Sequence, residues 1–173
     1  RLVHHESTRD GKEYGGNRFS DLYSKMYPSM EWMDKYVNSF EKPMFICEYA
    51  HSMGTAIGNL REYWESIESS TTTIGGAIWD WVDQAIWAKD TYGKDTYLYG
   101  GDFGDRPSDY NFSGNGILFT DRKVTSKMQE VKFNYQNFTL EPHENGVKVI
   151  NKSLFTNTDN YEDRKQYLES MVK

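Results

Sequence analysis

A single cysteine, Cys47, stands among 173 residues, so no disulfide can form within the chain. That one thiol says little about compartment, because many exported proteins also lack disulfides, and cytoplasm and periplasm both stay open. No apolar run approaches 18 residues, which excludes a membrane-spanning helix and makes a membrane partner unexpected. No stretch of Lys or Arg forms a basic patch. With 20 basic against 26 acidic side chains the net charge is -6, so a nucleic-acid backbone is not an expected partner either. A Ser-His-Asp signature, a phosphate-binding P-loop and a dinucleotide fingerprint are all missing. There is no initiator Met and no signal-peptide pattern, and the chain reads as a piece of a longer protein.

Aromatics are abundant instead, at 16% with five Trp and thirteen Tyr. Rings pack well on the C–H faces of a pyranose, so this excess suits sugar binding; filling a core is the plainer use.

Along the chain, 1–6 (RLVHHE) reads as a short strand, 7–20 as a polar loop, and 21–27 (DLYSKMY) as a second strand closed by Pro28. Residues 29–40 suit a helix capped by Ser29, with Met30, Met33, Tyr36 or Val37, and Phe40 on one face. The unalternating run Met44 to Cys47 predicts a strand covered on both faces, ending at Tyr49. Residues 55–68 form the clearest helical pattern, through Ile57, Leu60, Trp64 and Ile67, although Gly58 weakens it. A polar stop follows, then a strand over 75–82 (GGAIWDWV). Alternating strands and helices predict an α/β fold with a parallel sheet. Residues 83–116 read as one long functional loop, and 123–136 as an amphipathic helix aligned on Val124, Met128, Val131 and Tyr135. Beyond a boundary near Tyr135, 138–141 and 147–154 are strand-like, joined through Asn145-Gly146 as a hairpin. Residues 161–173 fit either a strand or a helix.

Glu48 is the residue most in need of explanation, since a carboxylate ends an otherwise buried strand. Barrel enzymes place catalytic groups at such strand ends. A retaining glycosidase needs two carboxyls about 5–5.5 Å apart, one to attack the anomeric carbon and one to exchange protons with the leaving oxygen and water. A buried ion pair or a loop cap is the alternative. His51 could hydrogen-bond a sugar hydroxyl, or be an ordinary loop histidine. Tyr27 ends the second strand, so its phenol can donate to a carboxylate on the same rim, or simply cover the core. Alternation puts Trp79 and Trp81 on one side of their strand and Asp80 and Val82 on the other; Asp80 must be paired or lie at the mouth. Residues 100–105 (GGDFGD) lack the EF-hand spacing, and 111–116 (NFSGNG) could offer oxygens to a hard cation but suit a turn better. His4 and His5 are adjacent on a predicted strand and point apart, so they do not share an ion.

The blocks PMFICEYAHSMG, GGAIWDWVDQ, YGGDFGDRPSDYNFSGNGILFTDR and QEVKFNYQNF, in that order, resemble the β-galactosidases of glycoside hydrolase family 2 over roughly residues 1–160. The resemblance implies the C-terminal half of a (β/α)8 TIM barrel over 1–135, with 1–6, 21–27, 44–49 and 75–82 as its last four strands. The first strands of a β-sandwich domain would follow over 136–173. It implies Glu48 as the nucleophile, Tyr27 as the tyrosine that hydrogen-bonds it, His51 on galactose hydroxyls and Trp79 beneath the sugar. It further implies that the Phe112 carbonyl and Asn115 ligate a Na+ that helps to bind the galactosyl 6-hydroxyl.

Two parts of the family pattern are absent or altered. The acid/base glutamate belongs to an Asn-Glu pair, and no such pair occurs in these residues. The family also uses Mg2+, whose ligands come mostly from earlier strands, and Ser108 stands where some members carry an asparagine near that metal. The expected function is therefore a fragment of a retaining β-galactosidase, inactive in isolation. It would act on β-galactosides only with the remainder of its parent enzyme, and its exposed sheet edges favour self-association into a homo-oligomer. A non-catalytic sugar-binding or assembly fragment is the alternative.

Overall fold

Residues 44–49 are the middle strand of a three-stranded parallel sheet. β1 (Tyr23–Met26), β2 (Met44–Tyr49) and β3 (Thr73–Ile78) lie in that order, with α1 (Met30–Tyr36) between the first two and α2 (Leu60–Ser69) between the last two. This computed structural model describes residues 1–6, 20–39 and 41–158. They fall into two compact units, Arg1–Asn134 and Tyr135–Lys173.

β2 is central because it is apolar on both faces. Met44, Ile46 and Tyr49 are buried, and Phe45, Cys47 and Glu48 are half-buried. Met33 and Val37 from α1, Leu60 and Ile67 from α2, and Ile117 and Val131 further on complete one core. Each such side chain contributes roughly 1.5–3 kcal/mol by leaving water. β3 approaches β2 closely because Gly76 faces it: a Cβ there would lie 3.0 Å from Ile46 Cβ and 3.1 Å from the Ile46 carbonyl oxygen. The buried Tyr49 hydroxyl accepts from Trp64 Nε1 at 3.0 Å, so its polar end is satisfied.

Helix ends follow local chemistry. Ser29 Oγ accepts from Trp32 N at 3.2 Å and starts α1, as its type predicts. The chain leaves that helix after Val37, whose carbonyl accepts hydroxyls from Ser70, Thr72 and Thr73 at 2.8, 2.7 and 3.1 Å. Phe40 lies outside the described residues. The helix expected over 55–68 begins only at Leu60, because Asn59 is left-handed (φ 59°) and breaks the turn ahead of it.

Other expectations need correction. Residues 1–6 form no strand. Asp21 N donates to Val3 O at 2.8 Å and ties them to the residues just ahead of β1, and Leu2 and Val3 are exposed, so no apolar surface holds the segment flat. Side chains anchor it instead: His4 Nε2 meets Ser24 Oγ at 2.9 Å and the His4 ring meets Phe45 edge-on at 5.5 Å. With no strand there, alternation does not set His4 and His5 on opposite faces.

The strand expected over 75–82 runs from Thr73 to Ile78, so its alternation does not reach Trp79 to Val82. There the backbone leaves β3 and pairs with 115–118 instead: Asp80 N donates to Asn115 O (2.8 Å), Ile117 N to Asp80 O (2.9 Å) and Leu118 N to Trp81 O (2.9 Å).

The long loop contains an antiparallel hairpin, β4 (Ile86–Lys89) and β5 (Asp95–Leu98). Its turn is built by Asp90, whose Oδ1 accepts from Tyr92 N and Lys94 N, and by Gly93 at φ 76°. The following helix is shorter than expected, α3 (Met128–Asn134), because Val124 bridges Leu118 and Thr125 Oγ1 donates to Ile117 O at 2.6 Å.

The second unit holds β6 (Phe138–His143) and β7 (Gly146–Asn151), antiparallel and in full register. The turn residues are Glu144 and Asn145, one position earlier than the Asn-Gly signal suggests, since Gly146 already pairs with His143. The expectations for 7–19 and 161–173 fall outside the described residues. Among the described residues, no helix is long and apolar enough to cross a membrane.

Candidate active site

The three parallel strands end on one rim, and the residues singled out by sequence gather there. Met26 pairs with Glu48 across β1 and β2, so Tyr27, the next residue, donates its backbone N–H to Glu48 O at 2.8 Å. Its phenol also lies against the Glu48 side chain, close enough for the carboxylate to favour the protonated phenol. Burial raises the Tyr27 phenol well above its ordinary value, and the contact with Glu48 and the charges of Glu48, Cys47 and Asp80 raise it further. The phenol therefore remains a proton donor throughout the neutral range.

Sharp backbone turns shape this rim. Tyr27 (φ 45°) follows β1 and Ala50 (φ 49°) follows β2, both left-handed without being glycine. Such conformations cost on the order of 1–3 kcal/mol each and persist where surrounding contacts impose them. Beyond Ala50, the His51 ring centroid lies 6.0 Å from that of Tyr27 and 5.3 Å from that of Phe112. His51 Nδ1 accepts from Met53 N at 3.3 Å, which leaves the proton of a neutral ring on Nε2.

Trp79 enters from the end of β3, with its N–H on Tyr49 O (3.0 Å) and its carbonyl accepting from Ser52 N (2.7 Å). Its indole Nε1 donates to Asn115 Oδ1 at 3.2 Å once that amide is oriented by its network, with Nδ2 donating to Ser113 O at 3.1 Å. Asn115 is almost fully buried, and Phe112 is half exposed. The Trp79–Asp80 peptide is cis. Asp80 is paired, as a carboxylate there must be: Oδ1 accepts from Trp81 N at 2.5 Å and Oδ2 from Gln84 Nε2 at 3.2 Å. Gly116 is obligatory here, since a Cβ would lie 2.2 Å from Asp83 N. Asp83 Oδ1 holds Gly116 N at 2.7 Å and so fixes the residue beside Asn115.

Tyr27, Glu48, His51 and Phe112 thus form one contiguous group, and Trp79 and Asn115 form a bonded pair joined to it through the backbone of Ser52. A carboxylate with a protonated phenol on it, beside an imidazole donor and an indole, is equipped to hold a polyhydroxylated ring and to present an anion to it.

The model of glycosyl hydrolases family 2, TIM barrel domain, matches residues 1–140. The chain belongs to that family. A β-galactosidase of Halalkalibacterium halodurans is 47% identical over 163 residues, covering 94% of this chain and 16% of that protein. A β-galactosidase of Clostridium acetobutylicum is 45% identical over 163 residues, covering 94% of this chain and 18% of that protein. The β-galactosidase large subunit of Latilactobacillus sakei is 41% identical over 137 residues, covering 78% of this chain and 22% of that protein. The chain therefore spans less than a quarter of the length of each of these family relatives.

The metals implied by family membership fit these residues unequally. Among the described residues no group of three His, Cys, Asp or Glu side chains could hold a metal ion. The described residues by themselves do not fit a Mg2+ site. Phe112 O and Asn115 Oδ1 are neutral oxygens, the donor type a hard monovalent cation accepts. Asn115 Oδ1 uses one lone pair on Trp79 and keeps a second.

Two residues of this candidate site escaped sequence reading. Ser52, fully buried, ties the His51 turn to Trp79. Lys127 donates to Ser52 O from 75 positions away. A lysine just before a helix, where the helix dipole favours an acid, was the available signal for it.

Proposed function

We propose that these residues are the nucleophile-bearing portion of a retaining β-galactosidase, the C-terminal half of its (β/α)8 barrel followed by the first strands of a β-sandwich. The observation that carries the reading is the Tyr27 phenol on the Glu48 carboxylate at the C-terminal end of β2, in a chain of glycosyl hydrolase family 2. Strand ends on this side of a parallel barrel are where its chemistry is placed.

In this mechanism a Glu48 oxygen attacks the anomeric carbon of a terminal β-D-galactoside. The glycosidic C–O bond breaks, and the departing oxygen takes a proton from a second carboxylic acid supplied by the rest of the parent enzyme. Water, deprotonated by the same group, then attacks the galactosyl ester and releases Glu48 and galactose with retained configuration. Tyr27 holds the carboxylate oxygen that is not attacking. His51 Nε2–H donates to a sugar hydroxyl, and the Trp79 indole, fixed by Asn115, forms the floor under the ring. Phe112 O and Asn115 Oδ1 would contribute to a Na+ site; bound there, the ion supplies a positive charge for the 6-hydroxyl oxygen. Without the acid/base the isolated chain lacks a contribution of roughly 10²–10⁴-fold, and it is expected to be silent.

The test uses the whole protein and a 2-deoxy-2-fluoro-galactosyl fluoride, which slows release of the ester. Mass mapping should place the galactosyl label on Glu48, and Glu48→Gln should abolish both labelling and hydrolysis of an aryl β-galactoside. A label on Asp80, Asp83 or another carboxylate would overturn the assignment. Unchanged hydrolysis by Glu48→Gln would favour a sugar-binding role for this rim.

A further inference from the structure

Lys127 is a half-buried cation that the mechanism above does not use. It immediately precedes α3, where the positive end of the helix dipole disfavours it. Burial lowers its ammonium below the ordinary lysine value, and the negative charge of Asp83 opposes that shift. Something at that position must repay the cost, and the contact made there is specific: Nζ donates to the carbonyl oxygen of Ser52 at 2.5 Å.

That carbonyl belongs to the peptide unit between Ser52 and Met53. The N–H at its other end, Met53 N, is the donor to His51 Nδ1. One planar peptide therefore has a lysine on its oxygen and the candidate substrate-binding imidazole on its hydrogen. A cation on the carbonyl oxygen polarises the amide and makes its N–H a better donor. A firmer bond into Nδ1 selects the tautomer that carries its proton on Nε2. The same residue is clamped elsewhere, with Ser52 N on Trp79 O at 2.7 Å and Ser52 Oγ on Ala50 O at 3.0 Å. Lys127 is thus the side chain that closes a unit containing both His51 and Trp79.

We infer that Lys127 is a positioning residue for substrate binding, acting through the Ser52–Met53 peptide to orient His51 and hold its ring as an Nε2–H donor. This rests on the reading that His51 faces a sugar hydroxyl. The consequence is a cost in substrate affinity more than in turnover, because Lys127 touches neither the anomeric carbon nor Glu48.

The experiment is a double-mutant cycle in the whole protein, measuring kcat and KM for an aryl β-galactoside and inhibition by galactose. Lys127→Met is expected to raise KM and weaken galactose inhibition by roughly tenfold, while kcat changes by less than about threefold. Lys127→Arg, which keeps a cationic donor, should recover most of that affinity. In a His51→Phe background the further change Lys127→Met should cost almost nothing, since the imidazole it orients is gone. An unchanged KM in Lys127→Met, or an equal penalty with and without His51, overturns the inference. If Lys127→Met does not fold, Lys127→Gln takes its place in the same cycle, with the same two outcomes. His51→Phe measured alone separates the failures: an unchanged KM there sinks the reading that His51 faces a sugar hydroxyl, whereas a raised KM together with an additive cycle sinks the role of Lys127 alone.

Discussion

The parallel sheet and the β4–β5 hairpin are built from strands of similar length, and they solve opposite problems. In the sheet, β2 is covered by α1 and α2 side chains and its polar atoms are concentrated at one end, where Tyr27, Glu48 and His51 meet. In the hairpin, Ile86, Trp87 and Tyr92 are exposed, and the strands are held by cross-strand pairs: Trp87 against Tyr97 with centroids 5.5 Å apart, and Lys89 against Asp95. Burial makes the sheet rigid enough to hold a group of side chains in fixed register. The hairpin depends on exposed contacts that water and salt compete for. The candidate site accordingly lies at the sheet's end and not in the hairpin.

Three substitutions would sharpen or break that contrast. The largest effect is expected at Ile46, fully buried in the middle of β2. Ile46→Ala should lower the unfolding free energy by about 2–5 kcal/mol, read from denaturant midpoints of the whole protein. A loss under about 1 kcal/mol would mean that the sheet is not the rigid part.

A smaller effect should separate the two regions by pH. The folded-state Tyr27 phenol is raised above its unfolded value, so its contribution to stability is complete below the ordinary tyrosine range. It is lost as pH climbs from about 10 toward the folded value, because only the unfolded chain ionises there. Denaturant midpoints at roughly pH 9 and pH 11 should therefore fall further in the wild type than in Tyr27→Phe. Equal falls would remove Tyr27 from Glu48.

The smallest effect is expected in the hairpin. Asp95 is held low by its bonds to Lys89 and to the Trp87 indole, yet it is solvent-exposed. Asp95→Ala should leave both the midpoint and the activity within error, and a measurable loss of activity would tie the hairpin to the site.

What could be read in the sequence divides along the same line. Burial on both faces leaves a plain trace, so β2 was legible to the residue, and so was the Ser29 cap of α1. The hairpin was hidden because its strands are short and its turn is made by the Asp90 side chain and Gly93, inside a stretch whose Gly and Asp content suggested loop. Residues 1–6 misled because a β-like composition was not matched by anything apolar to lie on. In the candidate site, Tyr27, Glu48, His51, Trp79, Phe112 and Asn115 were all named from motifs. What no motif showed was how they are held: Ser52 between two of them, Asp83 on Gly116, and Lys127 from far along the chain. Side-chain-to-backbone contacts of long sequence separation leave no periodicity to detect.

The two left-handed residues on the rim, Tyr27 and Ala50, bear on how such a protein can be improved. Glycine relieves the backbone at either place, so a search for heat resistance has an incentive to change them. Tyr27 itself carries the phenol beside Glu48, and Ala50 stands one step from His51, so glycine would delete the first side chain and let the second wander by more than the tolerance chemistry allows. Selection for endurance and selection for turnover would thus pull these two positions in opposite directions, and gains in melting temperature are better sought in the hairpin.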